Sequence, residues 1–364
     1  MSETRSLFDT DREALAQILS GEPGYRLDQL WKGLYVDFAE PNEITSLPGT
    51  LRSHLTEMLP NALEMVTESV TTDGNTVKWL WRLSDGASVE TVLMHYPDRS
   101  TVCVSTQAGC AMACGFCATG QGGFERNLSV GEIVEQVVRA ARRANEGTRP
   151  RRVSNIVFMG MGEPMANYDR MIGAVYRIHG DIGISARHLT ISTVGIIPGI
   201  KRLAEESLPV NLAVSLHAAN DELRDELVPI NRRYPLADLY EACEQYIQAK
   251  NRRLSFEWAL IAGVNDRTSD ARELATATRR LRAHVNLIPL NDTPGWPTTG
   301  SSAKKVQEFA EELVDLGVNV TVRANRGNDI DAACGQLRAN HNGPTVTEVP
   351  ARIERINSSP KSTI

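Results

Sequence analysis

The chain has 364 residues, 41% apolar and 23% charged, a globular balance that excludes a wholly disordered or collagen-like protein. At roughly 150 residues per domain, this length allows about two domains, or one large α/β barrel with an appendage. Net charge is −6, which argues against a generally basic nucleic-acid binder, but the charge is uneven: residues 1–100 carry 8 Lys/Arg against 16 Asp/Glu, and the remainder 31 against 29.

The opening MSETRSLFDTDREAL is acidic and polar, unlike a secretory or transit peptide. The longest apolar stretches, such as Trp258–Ala262, fall far short of the ~18 residues a membrane span needs. A soluble cytoplasmic protein without membrane contact is expected. Residues 1–65 read as helical: Tyr25, Leu27, Leu30 and Leu34 recur at helix spacing, and Leu51–Met58 is a second candidate. Asn42, Thr45 and Pro48 mark the break between them. Residues 66–97 change character, with Val66, Val70, Val77, Trp79, Val89, Val92 and Met94 around the turn signals Asp73-Gly74-Asn75 and Asp85-Gly86. These predict short antiparallel strands.

From residue 98 the chain alternates. Strand-like runs at 101–106, 153–159, 188–193, 210–216, 254–261 and 284–290 are separated by helix-like segments at 129–145, 168–179, 197–206, 235–250 and 268–282. A helix at 302–316 and a strand-like Val318–Val322 follow. This alternation predicts βαβ crossovers and a parallel sheet, here an α/β fold with a partial (β/α)6 TIM-like barrel over 98–340. Chemistry on such a fold belongs at the C-terminal ends of the strands. Residues 341–364, rich in Asn, Pro, Ser and Thr, read as a mobile tail.

Two basic runs stand out: Arg139, Arg142, Arg143, Arg149, Arg151 and Arg152, and then Arg279, Arg280 and Arg282. Either is a solvated helix face or a local phosphate-binding surface.

Of six cysteines, three lie in Cys110-Ala-Met-Ala-Cys114-Gly-Phe-Cys117, just after the first barrel strand. Three thiolates this close can hold one metal centre. Zinc usually takes four ligands, so it would need one from elsewhere. A four-iron cluster normally takes four cysteines; with three, one iron is left open for a substrate or cofactor. Other strand ends are also polar. The second carries Met159-Gly160-Met161-Gly162-Glu163-Pro164, the third Ser192-Thr193, the fourth Ser215-Leu216-His217, and the sixth leads to Pro289-Leu290-Asn291. Singly each suits a cap or a satisfied core group; together they suit a shared cofactor site.

The C-x3-C-x2-C spacing, with Phe116 inside it, resembles the signature of the radical S-adenosylmethionine (SAM) superfamily. The Gly162-Glu163-Pro164 stretch resembles that superfamily's Gly-Glu-Pro motif. A closer resemblance is to the bacterial ribosomal RNA adenine-C2 methyltransferases. It rests on Cys103-Val-Ser-Thr-Gln-Ala-Gly-Cys110, Gly123-Phe-Glu-Arg-Asn-Leu128, Met159–Pro164, Val228-Pro-Ile-Asn231 and Asp329-Ile-Asp-Ala-Ala-Cys334-Gly-Gln-Leu337, with Tyr25–Leu34 and Leu47-Pro48. It spans roughly residues 24–338.

The resemblance implies a radical SAM barrel with a helical N-terminal accessory domain for RNA and a β-hairpin extension. It implies one 4Fe-4S cluster on Cys110, Cys114 and Cys117, and SAM contacts from Gly162, Glu163, Ser192, Ser215, Leu216, His217 and Asn291. The substrates would be 23S rRNA, at adenine 2503 in customary RNA numbering, and tRNA at adenine 37. An electron donor such as flavodoxin or ferredoxin and a thiol reductant would be partners.

Adenine C2 is an electron-poor ring carbon that cannot attack the sulfonium of SAM, so a radical route is needed. The resemblance implies that a first SAM methylates Cys334. A second is cleaved to a radical that activates this methyl, which then adds to C2. Glu90 accepts the C2 proton, and Cys103 resolves the protein–RNA adduct by forming a disulfide with Cys334. Without the resemblance, Cys334 and Cys103 read as core thiols and Glu90 as an exposed glutamate on a hairpin. Cys243 matches nothing and is assigned to packing. Rival readings are C8 methylation of the same adenine, a radical activase of a partner protein, and a metal-binding RNA module.

Overall fold

The computed structural model describes residues 5–146, 150–293, 295–323, 327–337 and 350. All but one residue of the expected tail, and Arg149 of the first basic run, lie outside the described residues.

Three helices open the chain: α1 (Arg12–Ile18), α2 (Tyr25–Tyr35) and α3 (Gly49–Met58). They bury Leu15, Leu30, Leu34, Leu51 and Leu55 against one another. The antiparallel strands β1 (Glu64–Val70), β2 (Thr76–Arg82) and β3 (Ser88–His95) follow. β3 pairs with β4 (Ser100–Cys103), matching Val92 to Cys103, so this hairpin region continues the main sheet.

A short ribbon that the sequence pattern did not announce comes next. β5 (Gln107–Gly109) and β6 (Phe124–Asn127) bracket the cysteine loop and the single-turn α4 (Ala118–Gln121). Then α5 (Val130–Asn145) leads to β7 (Val153–Phe158), α6 (Tyr168–Gly180), β8 (Leu189–Thr193), α7 (Ile197–Glu205) and β9 (Asn211–Ser215). A second unannounced helix, α8 (Asp221–Leu227), precedes α9 (Leu236–Lys250). The chain continues through β10 (Leu254–Leu260), α10 (Thr268–Leu281), β11 (His284–Pro289), α11 (Ala303–Asp315) and β12 (Asn319–Val322).

The main sheet has ten strands in the order β1-β2-β3-β4-β7-β8-β9-β10-β11-β12, parallel from β4 onward. It is an open α/β sheet with six strand–helix units and a last strand at its edge. The parallel strands turn an apolar face to the helices, while the opposite face carries polar residues such as Ser192 and Glu257 that line a cavity. Leu254, Phe256, Trp258 and Leu260 of β10 are all buried, and Trp258 stacks on Phe309 of α11 at 6.1 Å.

α5 shows how local sequence and tertiary packing combine. Ser129 and Glu132 form a reciprocal capping box at its start (3.0 and 2.8 Å), and Ile133, Val134, Val137 and Val138 face the core. Its polar side meets the acidic N-terminal region. Asp9 accepts from Gly131 N–H (2.7 Å) and the Ser129 hydroxyl (2.8 Å). Arg139 pairs with Glu40 (2.8 Å) and Glu135 (3.1 Å), Arg142 with Glu43 (2.6 Å), and Arg143 with Glu68 (3.4 Å). The first basic run is therefore neither a bare solvated face nor an open phosphate site at these three arginines. It offsets part of the acidic surplus of residues 1–100, at Glu40, Glu43 and Glu68.

Among the described residues, no helix is long and apolar enough to cross a membrane.

Candidate functional site

One cavity opens at the C-terminal ends of the parallel strands. Phe158 of β7, Ser192 of β8, Ser215 of β9, Glu257 of β10 and Ile288 of β11 all line it, so the sheet must curve to bring them together. Cys110, Cys114 and Cys117 line it from the loop between β5 and α4. That loop is held by Cys110 N–H to Gly123 O (2.6 Å) and Cys117 N–H to Cys114 O (3.1 Å). Burial pushes the Cys110 thiol up to about 12 and raises Cys114 as well. These thiols do not shed protons unaided; a bound metal would have to draw them off.

Glu163 lies opposite, 3% exposed, on the turn after β7. Its carboxylate accepts from Met165 N–H (3.0 Å) and Val194 N–H (2.9 Å), and burial pushes its pKa up to about 7. Gly162 precedes it at φ +94°, where a Cβ would sit 2.5 Å from Cβ of Gln107. Only glycine fits there. Ser192 and Ser215 reach the cavity at their strand ends. His217 follows in the left-handed region (φ +59°). Its Nδ1 accepts from Ala259 N–H (3.0 Å), and burial drives its pKa down to about 3, so the ring stays neutral. Asn291 donates to Cys334 O (3.1 Å), while its buried Oδ1 has no hydrogen-bond partner among the described residues.

Leu216 differs from the rest of the expected SAM set. Its side chain is fully buried in the apolar core rather than in the cavity lining, and its backbone N–H donates to Glu257 O (3.0 Å).

The far-C-terminal segment completes the wall. Cys334 sits exposed in the cavity. Its segment is tied to α4, which directly follows the cysteine loop, by Ala118 N–H to Gly335 O (2.8 Å) and Thr119 Oγ1 to Leu337 O (2.6 Å). It is tied to the hairpin region by Thr72 N–H to Asp329 Oδ2 (3.3 Å) and Lys78 Nζ to Asp331 O (3.2 Å). Enclosure by the cavity walls raises the Cys334 thiol, and the guanidinium of Arg323 opposes this.

Cys103 and Glu90 do not line the cavity. Cys103 is buried on β4, near enough for Cys334 to influence its ionisation, and burial pushes its thiol up to about 12. Glu90 is not the exposed hairpin glutamate expected from the residues alone. It is 4% exposed, and its Oε1 pairs with Lys78 Nζ at 3.0 Å, beneath the Cys334 segment. Cys243 is buried on α9.

Sequence reasoning missed Glu257, Arg323 and Arg224. Glu257 Oε1 accepts from Asn286 Nδ2 (2.8 Å), and its Oε2 lies 3.3 Å from Arg323 Nη2 at the end of β12. A carboxylate inside the apolar run Leu254–Leu260 was the available signal. In the N-terminal region, Arg52 is held by Asn42 O (2.9 Å), while Lys32 remains largely exposed beside Asp37 (3.6 Å).

A parallel α/β sheet with a three-cysteine loop at its strand ends defines a class, and the comparisons agree. Residues 104–275 match the model of the radical SAM superfamily. A "Probable dual-specificity RNA methyltransferase RlmN" of Chloroflexus aurantiacus is 51% identical, over 96% of this chain and 98% of that protein. A protein of the same name from Thermobifida fusca is 49% identical, over 92% and 95%. The crystal structure of a radical SAM methyltransferase from Sphaerobacter thermophilus superimposes with a TM-score of 0.89 at 49% identity, covering 92% of this chain and all of that one. The chain belongs to this family of radical SAM RNA methyltransferases, and is an enzyme.

Membership implies SAM and a 4Fe-4S cluster, and the cavity fits both. Among the described residues, no three His, Cys, Asp or Glu converge on a single ion. A cluster asks instead for thiolates spread over three separate irons. The unpartnered Asn291 Oδ1, the Glu163 carboxylate and the room kept by Gly162 suit a polar, cationic small molecule.

Proposed function

We propose that this protein methylates C2 of an adenine in 23S rRNA, and C2 of adenine 37 in tRNA, through a methyl group carried on Cys334. The observation that supports this most is the position of Cys334. It is exposed in the cavity, hydrogen-bonded through its own segment to α4 directly after the cysteine loop, and near Cys103.

Cys110, Cys114 and Cys117 would hold the cluster, and Gly162, Glu163, Ser192, Ser215, His217 and Asn291 the SAM, with Leu216 contributing through its backbone. When bound, these groups supply a transferable methyl, an electron and a hydrogen-abstracting radical, with two SAM molecules used per turnover.

The chain's own residues do the rest. The Cys334 thiolate takes the methyl group, forming a carbon–sulfur bond as the sulfonium's bond to that methyl breaks and a neutral thioether leaves. Arg323, charged and beside it, favours that thiolate. After loss of one hydrogen atom, the sulfur-bound carbon bonds to C2 of the flipped adenine. One electron then leaves, for which the oxidised cluster would be the acceptor, and Glu90 takes the C2 proton, directly or through water. The Cys103 thiolate attacks the Cys334 sulfur, and the carbon–sulfur bond breaks with its electron pair moving to the base. That carbon takes a proton and becomes the methyl group. A Cys103–Cys334 disulfide remains, and an external thiol reductant reopens it. The adenine has to leave its stack to reach the cavity, which costs a few kcal/mol.

The test is anaerobic comparison of wild type and Cys334→Ala, each reconstituted with iron and sulfide. The variant should still cleave SAM but make no 2-methyladenine by mass spectrometry. Normal methylation by the variant refutes the carrier role. A methyl group found on C8 refutes the assigned position.

A further inference from the structure

Arg224 on α8 is wholly enclosed, with none of its surface exposed. Its guanidinium hydrogen-bonds only neutral acceptors. Nε donates to Leu216 O (3.1 Å), Nη1 to Asn231 Oδ1 (2.7 Å), and Nη2 to Val194 O (2.6 Å) and Ser215 O (3.2 Å). No ion pair joins it to a carboxylate among the described residues. Asp221 and Asp225 reach it only through Asn231, whose Nδ2 donates to both (2.9 and 2.6 Å). A buried cation without a counter-ion is costly, and arginine does not escape that cost by losing its proton.

The neighbourhood shows where a counter-charge belongs. Leu223 and Leu227, on either side of Arg224 in α8, pack in one apolar cluster with Cys114 and Phe116 of the cysteine loop. Val194 and Ser215, whose carbonyls the guanidinium holds, line the cavity with the three thiols. Cys114 is the titratable group that acts most strongly on Arg224, ahead of Tyr240 and the Asp221 carboxylate.

We propose that Arg224 is the buried counter-charge of the cluster and raises its reduction potential. This rests on the reading of Cys110, Cys114 and Cys117 as cluster ligands. A four-iron cluster on three thiolates is anionic, and becomes more so when it takes an electron. A fixed cation in a low-dielectric surround stabilises the reduced form more than the oxidised one. The same side chain is a positioning residue for the ends of β8 and β9. Its fork holds the carbonyls that follow Ser192 and belong to Ser215, so one residue links the cluster's electronics to the shape of the SAM pocket.

The experiment uses the full chain as wild type, Arg224→Gln and Arg224→Lys, reconstituted anaerobically without SAM. Iron and sulfide content is measured first, then the midpoint potential by redox titration followed by electron paramagnetic resonance. The Gln variant should shift to a more negative potential at equal cluster content. The Lys variant keeps the charge but loses the fork. It should hold the wild-type potential at about pH 6, drift negative by about pH 8 as a buried lysine gives up its proton, and bind SAM more weakly. A Gln variant with the wild-type potential overturns the proposal. So does a Lys variant shifted at both pH values, which keeps the test decisive if the Gln protein does not fold. If the wild type takes up no iron and sulfide, the reading of the three cysteines fails and this inference with it. An unshifted Gln variant overturns the inference alone.

Discussion

Two buried carboxylates lie on opposite sides of the barrel's first helix unit, and the protein treats them differently. Glu135 on α5 and Glu163 after β7 are both pushed up to about 7 by burial. Glu135 faces the N-terminal region, where Arg139 and Ala62 N–H (2.8 Å) answer it. Glu163 faces the cavity and is held only by backbone N–H groups and Thr193. At the α5 interface, charge is met by opposite charge and the contact is complete without a ligand. At the strand ends, Glu163 and Arg224 are steadied by neutral partners, and their charge is left for something else to balance. A burial map treats both carboxylates alike, yet one belongs to the scaffold and the other to the site.

The largest effect should come from breaking the complete side. Arg139→Met leaves Glu135 buried with no cation in contact. We expect a loss of about 2–3 kcal/mol in urea unfolding, below the ~3–5 of a wholly buried pair because Arg139 keeps some solvent. A loss below about 0.5 kcal/mol would mean that the interface is held by its apolar contacts alone.

Glu163→Gln should have the opposite profile. SAM affinity should fall by about tenfold or more, roughly the ~1.5–3 kcal/mol of a hydrogen bond to a charged group, read by calorimetry on reconstituted protein. Stability of the metal-free protein should not fall. The sign follows from linkage. A carboxyl whose folded value is raised binds more protons folded than unfolded. Its contribution is therefore fully present below the ordinary carboxylate range and is lost as pH rises through about 7. The Gln variant should lack that part of the decline, and gain on wild type over this window in thermal melts. A variant that tracks wild type at every pH would show that Glu163 is already neutral or solvated.

Arg142→Ala should have the smallest effect, about 0.5–1 kcal/mol. Its pair with Glu43 is bidentate but partly open to solvent, and is screened by salt. The difference should vanish in about 1 M salt, while that of Arg139→Met should largely persist.

The parallel sheet was legible from the strand–helix alternation, because short β-branched and apolar runs recur at the spacing that βαβ crossovers require. The β5–β6 ribbon and α8 were not, being too short to show a period. The cysteine loop was legible for a related reason: eight residues cannot hold three thiols far apart. Glu90 reads as exposed from its neighbours, and its burial depends on Lys78 one strand away and on the Cys334 segment more than two hundred residues on.

By itself, then, the sequence determined the longer elements, the thiol triplet and the polar residues at each strand end, because these follow from spacing along the chain. Only the tertiary structure decided which charges meet. Hydrogen bonds to α4 hold the Cys334 segment beside the cysteine loop, and the β10-β11-β12 order places Arg323 against Glu257. Packing of α8 buries Arg224 beneath the same cavity, and the basic run on α5 is spent on Glu40, Glu43 and Glu68. Charge pairing acts over a few ångströms of space, and chain separation carries almost no information about distances that short.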